Sequence, residues 1–210
     1  MTADVRTAFL AAASVAVDLI GRKDVGDRWN DPSTLEGYEI GPLAGHLARA
    51  LLTVHWYLDM PQPEPPTISA AEYFAGLGRG GASPEDEAQV RARGAEAAKG
   101  GWARLYLDVG KALDHLAARL ATESPEHRIP ALGQALLLDE YLKTRIVELV
   151  VHVDDLARSV QVPVPALPLE ATHVAIEVLV DAARVRHGER AVLHALTRRE
   201  LDVAEALRVL

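Results

Sequence analysis

Four long segments of the chain repeat apolar residues with the period of an α-helix. In the first segment, Val5, Phe9 and Ala12 recur at spacings of four and three. Such a helix carries one apolar stripe, and it can bury this stripe only against another element. The segments cover residues 3–20, 42–59, 84–120 and 134–160. We therefore predict an all-α protein in which four helices form a bundle.

Prolines and glycines separate these predicted helices. Proline lacks the backbone donor that a helix needs, so the proline-rich run 61–66 ends the second helix. Ser83 is expected to cap the third helix, with Pro84 in its first turn. The glycine pair at 100–101 is expected to bend that helix, and a second loop is predicted over 123–133.

The C-terminal stretch 169–210 also has helical spacing, and Gly188 divides it into a longer helix and one or two short ones. We predict a bundle domain over 1–165 and a helical extension over 166–210 that packs on it.

Composition argues against several classes of function. The formal charge of −8 repels a nucleic-acid backbone, and 5% aromatic residues offer few platforms for stacking bases. No segment resembles a signal peptide or approaches the ~20 apolar residues of a membrane span, which predicts a cytoplasmic protein without a membrane or nucleic-acid partner. The chain has no cysteine, so a metal would have to bind His, Asp or Glu.

The fourth predicted helix contains a stripe of ionisable residues. At about 100° per residue, Glu148, His152 and Asp155 lie within roughly 60° of one another, and Arg145 lies at the margin of the same stripe. Glu148 and His152 are one turn apart, which allows both to hold the same metal ion. The same pattern is also typical of a solvent-exposed stripe, in which Arg145, Glu148 and His152 form surface pairs.

A catalytic metal usually takes three protein ligands, so a third ligand must come from another helix. The best candidate is His46, which lies early in the second helix among small residues. His55 is nine residues further on and points to roughly the opposite side of that helix, so it is not expected to join this site.

A pattern that extends over most of the chain consists of Trp29, LEGY at 35–38, LAGHLAR at 43–49 and, most specifically, DEYLKTRIVELVVHVDDLA at 139–157. This pattern resembles a known family, the mycothiol-dependent maleylpyruvate isomerase family, a branch of the DinB-like metal-binding four-helix bundles.

This resemblance implies a DinB-like bundle whose metal ligands are His46, Glu148 and His152. It also implies that Asp155 contributes to the active site, either by orienting His152 or by binding substrate. The namesake isomerase has an additional mixed α/β domain with a functional arginine, whereas the corresponding stretch here, residues 169–210, is short and is predicted to be helical.

We therefore expect an enzyme that binds a divalent metal, with Zn²⁺ favoured and Ni, Fe or Co as alternatives. Its partners would be a small-molecule thiol such as mycothiol and an electrophilic substrate. The metal-activated thiolate would be the nucleophile. Transferase and isomerase chemistry both fit this expectation. Two alternatives stay open: a hydrolase that uses metal-bound water, and a non-catalytic helical bundle that binds a ligand. A homodimer also stays open.

Overall fold

The computed structural model describes residues 4–77, 84–198 and 206–209. Helices dominate the described part, which confirms the predicted all-α class. They are α1 (Val5–Ile20), α2 (Lys23–Asp27), α3 (Ile40–Tyr57), α4 (Ala70–Gly76), α5 (Pro84–Ala98), α6 (Trp102–Leu120), α7 (Leu138–Ser159), α8 (Leu169–His187) and α9 (Glu189–Thr197). Two short strands, β1 (Arg128–Ala131) and β2 (Gln134–Leu137), pair in an antiparallel hairpin.

The predicted four-helix bundle is confirmed, and it consists of α1, α3, α6 and α7. Helices α6 and α7 each pack against both α1 and α3. Each of the four helices contributes fully buried apolar side chains to one core, among them Phe9, Leu47, Leu116 and Ile146. Among residues 4–77, 84–198 and 206–209, no helix has both the length and the apolar character needed to cross a membrane.

The segment before α7 differs from its prediction. Residues 134–137 form β2, so the expectation that the fourth helix begins at Gln134 is wrong, and the helix begins at Leu138. Leu132 and Gly133 both have positive φ angles, 49° and 77°, as in the tight two-residue turns that join antiparallel strands. The hairpin therefore replaces the second half of the predicted loop and the first turn of the predicted helix.

The third predicted helix is two helices rather than one bent helix. Gly101 has a φ of 79°, a conformation that side chains rarely adopt, and the chain turns there between α5 and α6. Helix α6 belongs to the bundle, whereas α5 lies on the outer side of α3. The predicted cap Ser83 lies outside the described residues.

The short helices α2 and α4 were not predicted. Helix α4 carries a recognisable start signal, because Ser69 accepts a hydrogen bond from the backbone of Glu72 and the Glu72 side chain accepts one from the backbone of Ser69. This helix packs against α7 and α8.

Helix α8 packs on α1, α4 and α7 through small buried residues that include Ala171, Ala175 and Ala182. Gly188 separates α8 from α9, as its position in the sequence suggested. Most of the chain after α9 lies outside the described residues. The division into a domain over 1–165 and an extension over 166–210 stays a prediction.

Helices α3 and α5 approach closely at Gly45 and Gly94. A Cβ atom on Gly94 would lie 2.6 Å from the carbonyl oxygen of Pro42, and a Cβ atom on Gly45 would overlap the carbonyl oxygen of Gly94. Neither position has room for a larger residue unless the helices separate.

We expect the substitution Gly45→Ala to lower the free energy of unfolding by about 1–3 kcal/mol, because the added methyl group overlaps the α5 backbone. Gly110→Ala is the matched control: this glycine lies in α6 with nothing within 4 Å of its added Cβ. The control should raise stability by up to about 1 kcal/mol, because alanine favours the helix. Urea denaturation followed by circular dichroism measures both, and equal effects would contradict the close approach.

Candidate metal centre

The neighbouring bundle helices α3 and α7 bring together the three predicted ligands. His46 lies in the second turn of α3, whereas Glu148 and His152 lie one turn apart on α7. All three side chains are only 17–20% exposed. This limited exposure disagrees with the alternative in which the α7 stripe faces bulk solvent.

The donor atoms of these residues form a nearly equilateral triangle. The Nε2 atoms of His46 and His152 are 3.1 Å apart. Glu148 Oε2 lies 3.4 Å from His46 Nε2 and 3.3 Å from His152 Nε2. Two imidazoles and one carboxylate thus point at a common centre.

The size of this triangle suits a small divalent cation. A tetrahedral zinc ion with bonds of about 2.0–2.1 Å holds its donor atoms about 3.3–3.4 Å apart. Within the described part of the chain, these three residues are the only group of three or more His, Cys, Asp or Glu side chains whose ligand atoms lie this close together. The residues present therefore fit a metal that takes three protein ligands.

Asp155 contacts the triangle through His152. The Nδ1–H of His152 donates a hydrogen bond of 2.9 Å to Asp155 Oδ2, which turns Nε2 toward the other donors. The neighbouring Asp154 faces away and pairs with Arg158 at 2.6 Å. Burial lowers the pKa of His152, but the hydrogen bonds to Asp155 and Glu148 outweigh it and raise this pKa to about 9.

Arg145 is a buried cation beside Glu148. Its side chain lies 5.0 Å from the ring centre of Tyr141 and 6.0 Å from that of Tyr73, and its Nη2 atom is 3.9 Å from Glu148 Oε1. Burial tends to raise the pKa of Glu148, but hydrogen bonds from His152 and His46 and the charge of Arg145 hold it well below its usual value. The carboxylate is therefore ionised and able to bind a cation.

The triangle lies in the wall of a cavity of about 540 Å³. This volume is typical of sites for small organic molecules. Besides the three predicted ligands and Asp155, the wall contains side chains that the sequence analysis did not assign to the site, including Arg49, Tyr57, Tyr73, Arg93 and Tyr141. Helical spacing could have found three of them: Arg49 and Tyr57 share the face of His46 on α3, and Tyr141, seven residues before Glu148, shares its face on α7. Tyr73 and Arg93 lie on other helices, for which spacing gives no signal.

His55 lies outside the group of residues that line this cavity. Its Nδ1 atom is 2.9 Å from Nδ1 of His115 on α6, and the two rings meet edge to face.

Comparison with known proteins identifies the family. The family model described as the mycothiol maleylpyruvate isomerase N-terminal domain matches residues 10–157. The chain belongs to this family. The match extends over more than half of the chain, and it confirms the resemblance found in the sequence. No curated protein and no solved structure matches the chain.

The part matched by the mycothiol maleylpyruvate isomerase N-terminal domain includes all three residues of the triangle and Asp155. It ends within α7, before α8 begins. Membership thus concerns the bundle and the candidate metal centre, and it associates the chain with a domain named for mycothiol chemistry.

We expect Asp155→Ala to weaken the binding of Zn²⁺ by about 10–100-fold, because His152 loses the partner that orients its ring. Asp154→Ala is the matched control, since it removes a carboxylate from the next residue, which faces away from the triangle. Competition with a coloured chelator measures both affinities. Equal zinc affinity in the two variants would contradict a positioning role for Asp155.

Proposed function

We propose that the protein is a metal-dependent enzyme of small-molecule thiol chemistry, related to mycothiol-dependent maleylpyruvate isomerase and to thiol S-transferases. His46, Glu148 and His152 would hold the metal. The observation that carries this proposal is the donor triangle of 3.1–3.4 Å in a cavity wall, in a chain that belongs to a family named for mycothiol.

The donor set favours Zn²⁺, with Ni, Fe or Co as alternatives. A free thiol has a pKa of ~8.5, and coordination to such a cation would convert it to the nucleophilic thiolate at neutral pH. The chain has no cysteine of its own, so the thiol would come from a second molecule.

Side chains around the triangle would position the metal ligands and set their charge. Asp155 fixes the ring of His152 through Nδ1. The two histidines contact Oε2 of Glu148 and Arg145 lies near its Oε1, and together they keep this carboxylate ionised. Tyr141 donates a hydrogen bond of 2.8 Å to Thr53, and burial raises the pKa of Tyr141 to about 12, so this phenol stays neutral. The cavity wall combines these polar groups with apolar side chains such as Leu35 and Val151, which limit the access of water.

The volume of about 540 Å³ leaves space for an electrophilic molecule beside the thiol. In this arrangement the protein would bring both reactants together in one partly enclosed site, which lowers the entropic cost of their encounter.

We expect cobalt-substituted protein to change its visible absorption spectrum when mycothiol is added, because a sulfur ligand alters the electronic transitions of Co²⁺. Mycothiol with a methylated sulfur is the matched control and should leave the spectrum unchanged. The titration should saturate at one thiol per bound cobalt ion. A cobalt spectrum that does not respond to free mycothiol would contradict thiol binding at the metal and would favour the hydrolase hypothesis.

A further inference from the structure

Two arginines line the cavity of the candidate metal centre and have no acidic partner among the residues that the structure describes. They are Arg49 on α3 and Arg93 on α5. Both also line a second, adjacent groove of about 740 Å³ between α3, α5 and α6. The two arginines therefore lie at the junction of the cavity and the groove. The side chain of Arg49 also lies over the ring of Trp56, at 6.0 Å from its centre.

The acids around these arginines are already engaged. In the cavity wall, Glu148 contacts His46 and His152, and Asp155 accepts from His152. Within the described ranges, neither the Arg49 nor the Arg93 guanidinium forms an ion pair or a hydrogen bond.

The described residues that line the adjacent groove include no unpaired carboxylate either. Its two acids, Glu96 and Asp108, pair with Lys99 and Arg104. The place where cavity and groove meet therefore carries an excess of positive charge.

This excess charge is unfavourable for the protein alone. Burial lowers the pKa of Arg49, and the charges of Arg93 and Arg145 lower it further, although Tyr57 and Tyr141 act in the opposite direction. Unpaired, partly desolvated charges of one sign destabilise a fold, and such arrangements are typical of binding sites for the opposite charge.

The fold holds the two arginines close to the metal ligands. Arg49 lies one helical turn beyond His46 on α3. Arg93 precedes Gly94, and a Cβ atom on Gly94 would lie 3.2 Å from Cβ of His46. The tight contact between α3 and α5 therefore places the backbone of Arg93 next to the turn of α3 that carries His46, and both residues line the cavity.

We propose that Arg49 and Arg93 bind an oxyanion group, a carboxylate or a phosphate, of the electrophilic substrate at the junction of the cavity and the groove. The planar guanidinium suits both groups, because its N–H donors match a pair of oxygen atoms. The substrate is thus an organic anion whose charged end lies between the two spaces. Naming the ligand as the substrate rests on the proposed function, whereas the anion site itself requires only the arginines.

The test is isothermal titration of the 210-residue chain with succinate and, separately, with inorganic phosphate. It is performed on chelator-treated and on zinc-loaded protein, with sodium chloride as the ionic-strength control. We expect binding in both preparations, and an affinity at least about tenfold lower in Arg49→Gln and Arg93→Gln, since each loses charge-assisted hydrogen bonds. Tighter binding of succinate identifies the carboxylate as the preferred group, and tighter binding of phosphate identifies the phosphate.

Arg104→Gln is the matched control, because Arg104 lines the same groove but already pairs with Asp108 at 2.7 Å. This variant should keep the affinity of the unmodified protein. Thermal unfolding in anion-free buffer separates binding from a structural role: Arg93→Gln should unfold at the same or a higher temperature, because it relieves repulsion.

Three results overturn the inference: no binding of either anion, an equal loss of affinity in Arg104→Gln, or a lower unfolding temperature of Arg93→Gln without anion. Failure of the proposed function is distinguishable from these results. Protein that binds no metal but still binds oxyanions through Arg49 and Arg93 refutes the metal enzyme and supports the anion site.

Discussion

The packing of α3 against α7 is the constraint on which the candidate site depends. Glu148 and His152 are held one turn apart by the helix itself, but His46 reaches them only if the two helices keep their mutual register. A buried carboxylate is costly unless charged or hydrogen-bonding partners surround it. Glu148 has such partners in both histidines and in Arg145, so the same contacts that hold the carboxylate also shape the metal-sized triangle.

Elements outside the bundle complete the cavity. The bundle supplies the triangle, and α4 and α5 add Tyr73 and Arg93 to the wall. The glycine contact between α3 and α5 links a structural requirement to a functional one, because small residues at Gly45 and Gly94 allow α5 to lie beside His46. The positive charge at the edge of the cavity depends on this contact, because α5 carries Arg93. This charge favours a ligand with a negatively charged group beside the candidate metal centre.

Sequence periodicity predicted the parts of this arrangement that lie within single helices. The spacing of Glu148, His152 and Asp155 places them on one face whatever the rest of the chain does. The hairpin was missed because the apolar residues of 134–137 also fit a helical pattern, and the turn depends on a positive φ at Leu132 that no residue preference predicts. Arg93 and Tyr73 could not be assigned to the site because helical period does not reveal which outer helix packs beside which face of the bundle. The joining of His46 to the α7 pair was predicted from the need for a third ligand and from the family resemblance.

The proposed site holds one divalent cation between α3 and α7. Anomalous diffraction at the zinc edge, from crystals of untagged protein grown with Zn²⁺, would locate this cation. We expect one strong peak within about 2.0–2.2 Å of His46 Nε2, His152 Nε2 and a Glu148 carboxylate oxygen. A strong peak only elsewhere, for example between His55 and His115, or no peak at the triangle despite added zinc, would contradict it.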